Sequence, residues 1–150
     1  MDLNRVEQIV KQYNGDSSAL IQIMLDIESE NRWLPGEFLE LISERLAVPI
    51  VKINHIATFY KAFHITPRGR HIISVCMGTA CHVRGAPRIL ERITELTGVG
   101  PGQTGTDMKF SLDTVNCLGC CAMGPVMLVD DKYYGNLSVS KLEDILSQYD

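Results

Sequence analysis

Cys117-Leu118-Gly119-Cys120-Cys121-Ala122-Met123-Gly124-Pro125 closes one segment of alternating residues, and Cys76-Met77-Gly78-Thr79-Ala80-Cys81 closes another that is apolar. These stretches hold all five cysteines of the chain, with 35 residues between Cys81 and Cys117. Ile72, Ile73 and Val75 predict a short strand running into Cys76, and Met108, Phe110 and Leu112 predict a second leading to Cys117. Between them, Pro87 can start a helix through Leu90, Ile93 and Leu96, which Gly98 terminates. Pro125 to Val129 and Tyr133 to Leu137 flank Asp130-Asp131-Lys132 as a hairpin. Ser138 can cap a last helix carrying Leu142, Ile145, Leu146 and Tyr149. Strand, helix, strand, hairpin, helix is an α/β order with a right-handed first crossover. Both cysteine groups then lie past the C-terminal ends of strands, where adjacent strands bring them together.

Working outward, Thr66-Pro67-Arg68-Gly69 is a turn-rich joint, and the 65 residues before it carry helix signals and no cysteine. Asp2 can cap a helix with Leu3, Val6, Ile9, Val10 and Tyr13 on one face, stopped by Asn14-Gly15. Asp16 or Ser17 can open a second, with Leu20, Ile23, Met24 and Ile27 at helical spacing. A third begins at Pro35 and carries Phe38, Leu41, Ile42 and Leu46. Pro49 ends it by disfavouring the α conformation at Val48, and starts a fourth marked by Ile53, Ile56, Ala57 and Tyr60. Two domains are expected: a helical bundle over 1–66 and an α/β domain over 67–150.

The cysteine pattern carries the chemistry. Cys76-x4-Cys81 and Cys117-x3-Cys121 supply two thiolates to each metal of a [2Fe–2S] cluster, Cys76 and Cys81 on one iron, Cys117 and Cys121 on the other. Gly78, Gly85, Gly119 and Gly124 let backbone N–H groups approach a buried anion. Other readings compete on spacing. Cys76, Cys81, Cys117 and Cys120 come close to a structural zinc pattern, which would make the chain a non-redox adaptor module. Cys117-Leu118-Gly119-Cys120 has thioredoxin-dithiol spacing, but Gly124-Pro125 follows too soon for the helix such a motif opens. Cysteines buried as small hydrophobes would not pair off in loops after strands.

Composition narrows the classes. With 45% apolar and 21% charged residues the chain is an ordinary globular protein. A net charge of −4 argues against nucleic-acid binding, and no apolar run approaches a membrane span. No signal peptide is visible, so the cytoplasm is the expected location, where thiols stay reduced and clustered cysteines point to metal or redox chemistry.

The cysteine stretch resembles a known signature. Cys117 to Pro125 is similar to C-L-G-x-C-x-x-[GA]-P of the 24-kDa subunit family of NADH:quinone oxidoreductase, and the upstream C-x4-C agrees. Asn31-Arg32-Trp33-Leu34-Pro35 resembles that family's G-W-L-P segment. Ala57-Thr58-Phe59-Tyr60, Phe63, Pro67 and Gly69 resemble its A-T-F-Y…F…P-x-G stretch. The likeness covers residues 17 to 149. It implies a helical N-terminal part that docks a partner, followed by a thioredoxin-like [2Fe–2S] ferredoxin domain. It also implies one cluster on Cys76, Cys81, Cys117 and Cys121, with Cys120 at the family's free position as an extra thiol. The implied role is single-electron exchange with a flavoprotein subunit that binds FMN and NAD(P), beside further iron–sulfur subunits. Relatives serve NADH dehydrogenases, NAD(P)-linked hydrogenases (some of them electron-bifurcating) and formate dehydrogenases. No catalysis is expected of the isolated chain, and neither FMN nor NAD(P) is expected on it.

Other signals recede. Gly100 to Gly105 matches G-x-G-x-x-G but follows a helix and precedes a strand, so it reads as a mobile loop. His55, His64, His71 and His82 share no metal-ligand spacing. His82 and Arg84 flank Cys81, either as charge beside the cluster or as a solvated loop. Arg88, Glu91, Arg92 and Glu95 read as a solvated helix face, and Trp33 as a core or interface anchor.

Overall fold

The computed structural model describes all 150 residues, which divide into two units, Met1–Pro67 and Arg68–Asp150. The first unit is helical: α1 (Leu3–Gln12), a 3-10 turn (Ser17–Ala19), α2 (Leu20–Asn31), α3 (Gly36–Leu46) and α4 (Ile50–Phe59). Its starts follow the capping chemistry of the sequence. The Asp2 carboxylate accepts from the Arg5 N–H at 2.9 Å, and that of Asp16 accepts from the Ser18 N–H at 2.8 Å. Pro35 and Pro49 stand at the N-cap, one residue before the helices they introduce. The end of α3 differs from expectation. Ala47 adopts a left-handed conformation (φ +51°), so the helix stops before Pro49 can act on Val48. Val6, Ile9, Ile23, Met24, Ile27, Phe38, Ile42 and Ile53 interlock in a single buried cluster.

The second unit holds β1 (His71–Cys76), α5 (Thr79–Val83), α6 (Ala86–Thr97), β2 (Gln103–Thr104), β3 (Phe110–Val115), a 3-10 turn (Cys121–Met123), β4 (Met127–Val129), β5 (Lys132–Tyr134) and α7 (Val139–Leu146). The sheet runs β2-β3-β1-β4-β5. Only β1 and β3 are parallel, with Ile73 opposite Leu112 and Cys76 opposite Val115; the other neighbours are antiparallel. Ile73, Val75, Phe110, Leu112, Met127 and Val129 of the sheet bury against Ile89 and Ile93 of α6 and Leu142 and Leu146 of α7. This is the α/β arrangement the element order implied.

Four local readings need correction. Gly100 to Gly105 is not simply a loop: Gln103 and Thr104 form the edge strand β2, tied to β3 by antiparallel pairing. Met108 lies outside β3 with φ +56°, because the Gly105–Met108 turn (Met108 N–H to Gly105 C=O, 2.9 Å) brings the chain back before the strand begins. Lys132 belongs to β5, so the hairpin turn is Asp130-Asp131 alone. Ser138 sits at the N-cap of α7, yet its hydroxyl pairs with that of Ser140 at 3.1 Å instead of a backbone N–H. The short α5 has no counterpart among the predicted elements.

Candidate metal centre

Cys76 is the last residue of β1, and alternation places it on the opposite side of the strand from Ile73 and Val75. Its neighbourhood is fixed by the sheet: Cys76 N–H donates to Val126 C=O at 3.2 Å, and Met77 N–H to Val115 C=O at 2.8 Å. Five residues on, Cys81 lies within α5. Cys117 stands two residues past β3, and Cys121 opens the 3-10 turn before β4. Because β1 and β3 are parallel neighbours, their C-terminal ends deliver both cysteine loops to one edge.

The thiols meet there. Cys76 lies within hydrogen-bonding reach of the Cys81 and Cys117 side chains, and Cys81 feels the charge of both Cys76 and Cys121. Cys76 and Cys81 are 1% exposed and pack with Ala86 and Val126, while Cys117 and Cys121 face solvent. Cys120 is half-buried, donates from its Sγ to Leu118 C=O at 3.6 Å, and packs against the cluster of Cys76, Cys81, Ala86 and Val126. No three His, Cys, Asp or Glu side chains are grouped as donors to a single ion.

Electrostatics at this edge favours a bound cation. Burial opposes ionisation of Cys76. The N–H groups of Gly78 and Leu118 and the Cys81 and Cys117 thiols outweigh it and hold its pKa below the ordinary thiol value. Burial pushes Cys81 up; its bond to Cys76 and the charges of Cys76 and Cys121 add to this, while the Val126 N–H opposes. One thiolate therefore hinders the next, a conflict that bound positive charge removes. The backbone closes around the sulfurs. Gly119, at φ +74°, donates its N–H to Cys117 Sγ at 3.2 Å. A Cβ at Gly124 would stand 3.1 Å from Cys81 Sγ, and one at Gly78 would collide with the Asn116 carbonyl at 2.8 Å. Four thiols, inward N–H groups and this tight cradle fit a [2Fe–2S] cluster.

The flanking charges resolve differently from one another. Arg84 Nη1 donates to the Cys121 carbonyl at 3.0 Å, so its side chain braces the second cysteine loop; His82 is exposed. His64 and His71 pair with Glu28 and Asp130, each at 2.7 Å. Arg92 pairs with Glu95 at 2.9 Å on the surface of α6, and Trp33 is half-buried. The N–H groups of Leu118 and Val126 were invisible to sequence reasoning, since a backbone donor leaves no residue-type signal.

Comparison with known proteins gives a consistent result. The sequence pattern of the thioredoxin-like [2Fe–2S] ferredoxin family matches residues 6–150. The chain is 32% identical over 144 residues to the NADP-reducing hydrogenase subunit HndA of Solidesulfovibrio fructosivorans, covering 96% of this chain and 84% of that protein. It is 35% identical over 144 residues to a subunit of the NADH-quinone oxidoreductase of Rhizobium meliloti, covering 96% and 86%. In fold it is similar to an NAD+-reducing [NiFe]-hydrogenase in the air-oxidised state, with a TM-score of 0.66 at 20% identity. That likeness covers 87% of this chain but only 22% of the hydrogenase chain.

Proposed function

This chain belongs to the thioredoxin-like [2Fe–2S] ferredoxin family, and from that premise we propose that it is the one-electron carrier of an NAD(P)-linked oxidoreductase complex. The observation that carries this reading is the delivery of both cysteine loops, Cys76 to Cys81 and Cys117 to Cys121, to the C-terminal ends of the parallel neighbours β1 and β3. Cys76, Cys81, Cys117 and Cys121 are the proposed ligands. The proposed partner is a flavoprotein subunit that binds FMN and NAD(P), alongside further iron–sulfur subunits. The relatives support an NADH dehydrogenase or a hydrogenase, and the family resemblance adds a formate dehydrogenase to the range. Any electron bifurcation would reside on the flavin partner, because a single one-electron site cannot split an electron pair.

A bound [2Fe–2S] cluster supplies reversible one-electron chemistry. The chain's own residues do the rest. The four thiolates hold the metals, and Gly78, Leu118, Gly119 and Val126 aim N–H groups at sulfur, which favours the added negative charge of reduction. Ala86 and Val126 exclude water from the buried pair. The helical part, residues 1–66, is assigned to docking and residues 67–150 to the cluster. No helix is long and apolar enough to cross a membrane, and a cytoplasmic site of action suits ligands that must remain reduced.

Mixing the purified, oxidised chain with NADH or NADPH should leave its visible spectrum unchanged over minutes, because the only glycine-rich match is built into the edge strand β2. Adding the FMN-bearing subunit should allow reduction. Metal analysis should return about two irons and about two acid-labile sulfides per chain. Stoichiometric zinc after anaerobic reconstitution, or rapid bleaching by NADH in a flavin-free preparation, would overturn the proposal.

A further inference from the structure

Next to α5 the second unit carries a surface cleft of about 520 Å³. Its floor is apolar, with Ile89 and Leu137 almost fully buried, and its walls present Val83 and Val139, which are 80% and 43% exposed. Its rim is cationic, formed by His82, Arg84 and Arg88, and no Asp or Glu lines it. This is unusual for a chain of net charge −4. Four other arginines are matched to carboxylates: Arg5 to Glu30, Arg45 to Glu7, Arg68 to Asp113 and Arg92 to Glu95. Arg84 and Arg88 have no carboxylate partner.

Resting on the reading that a flavoprotein exchanges electrons with this chain, we propose that the cleft receives an acidic segment of that flavoprotein bearing an apolar side chain. The acidic groups complete Arg84 and Arg88, and the apolar side chain covers Val83 and Val139. Both residue types are needed. Unpaired guanidinium groups steer a negative surface from a distance, and exposed aliphatic carbon rewards close contact once it arrives. The location gives the contact its purpose. Cys81 directly precedes the lining residues His82 and Val83, and Arg84 bonds the carbonyl of Cys121 at 3.0 Å. A segment seated here therefore touches the loop that frames the metal centre. The helical unit supplies affinity, and the cleft orients the partner's approach.

The test uses the cluster-loaded full chain and the purified FMN-bearing subunit, mixed in a stopped-flow instrument while cluster bleaching is followed. Failure of the wild-type chain to be reduced would remove the flavoprotein reading itself. With a competent wild type, Arg88→Glu should slow the second-order reduction at low ionic strength by about tenfold and flatten its salt dependence. Val139→Asp should add to the loss. The EPR signal of each reduced variant should match wild type, which separates docking from damage to the centre. Lys132→Glu, the same charge change outside the cleft, is the control. An unchanged rate for Arg88→Glu, or an equal slowing by Lys132→Glu, would overturn the proposal. So would wild-type inhibition by inorganic phosphate, at constant ionic strength, as deep as the Arg88→Glu effect, because the cleft would then be a small-anion site.

Discussion

The two units bury their interiors in different ways. The helical unit closes a single core from hydrocarbon and thioether alone, with Val6, Ile23, Met24, Ile27 and Ile42 fully buried. The sheet unit has an aliphatic core between β-sheet and helices, and beside it a small second cluster of Cys76, Cys81, Ala86 and Val126. A hydrocarbon core is complete once it is packed. A core that includes two thiols is complete only as long as they remain neutral, or once their charge is matched. The helical unit can therefore be stable without metal, while one corner of the sheet unit couples its order to the group it binds.

The sharpest break in this comparison is removal of a ligand. Cys121→Ala should abolish the cluster or grossly alter its absorption and EPR spectra, whereas Cys120→Ala should leave both nearly unchanged. The reverse outcome would shift the ligand register by one residue. Next in size is a cavity in the hydrocarbon core. Phe38, 2% exposed, is the largest side chain fully buried there. Phe38→Ala should destabilise the helical unit by about 3–5 kcal/mol in denaturant unfolding, with the EPR signal of the reduced chain retained. Loss of that signal in parallel with helix would mean that the units do not differ in their dependence on metal. The smallest effect concerns the exposed face of α4, where Val51 and Phe59 are 76% and 70% exposed. If the helical unit docks the flavoprotein, Val51→Asp with Phe59→Asp should leave its unfolding midpoint nearly unchanged. The same pair should weaken partner binding about tenfold by calorimetry, within the range of a modest hot spot. Unaltered affinity would move the main interface off this face.

The helical unit was legible because its signals are local. The period of Leu20, Ile23, Met24 and Ile27 fixes a face, and Asp2, Pro35 and Pro49 mark the starts to within a residue. The sheet was legible in order but not in its edges. Two residues, Gln103 and Thr104, are too few to alternate detectably, so β2 was hidden inside a glycine-rich pattern. Thr79 to Val83 spans barely more than one turn and has no apolar repeat, which concealed α5. At the metal centre, spacing identified the cysteines as a group. It could not by itself separate Cys120 from Cys121, because the adjacent pair satisfies both C-x2-C and C-x3-C. Their separation rests on substitution, because both lie in the same loop: Cys121 is exposed, and Cys120 is half-buried against the Cys76 and Cys81 cluster. The pairing state of Arg84 and Arg88 was likewise beyond reach, since an arginine on a helix looks the same in sequence whether or not a carboxylate waits across the fold.

The uneven burial of the thiols gives the centre a direction of wear. Cys117 and Cys121 stand in solvent, and Cys76 and Cys81 are sealed. In the metal-free chain, an alkylating reagent such as iodoacetamide reaches the outer pair first, and the inner pair reacts only as α5 and the end of β1 open. Injury to this protein thus begins at the loop after β3, leaves the sheet standing, and spares half of the sulfur from which a working centre could be rebuilt.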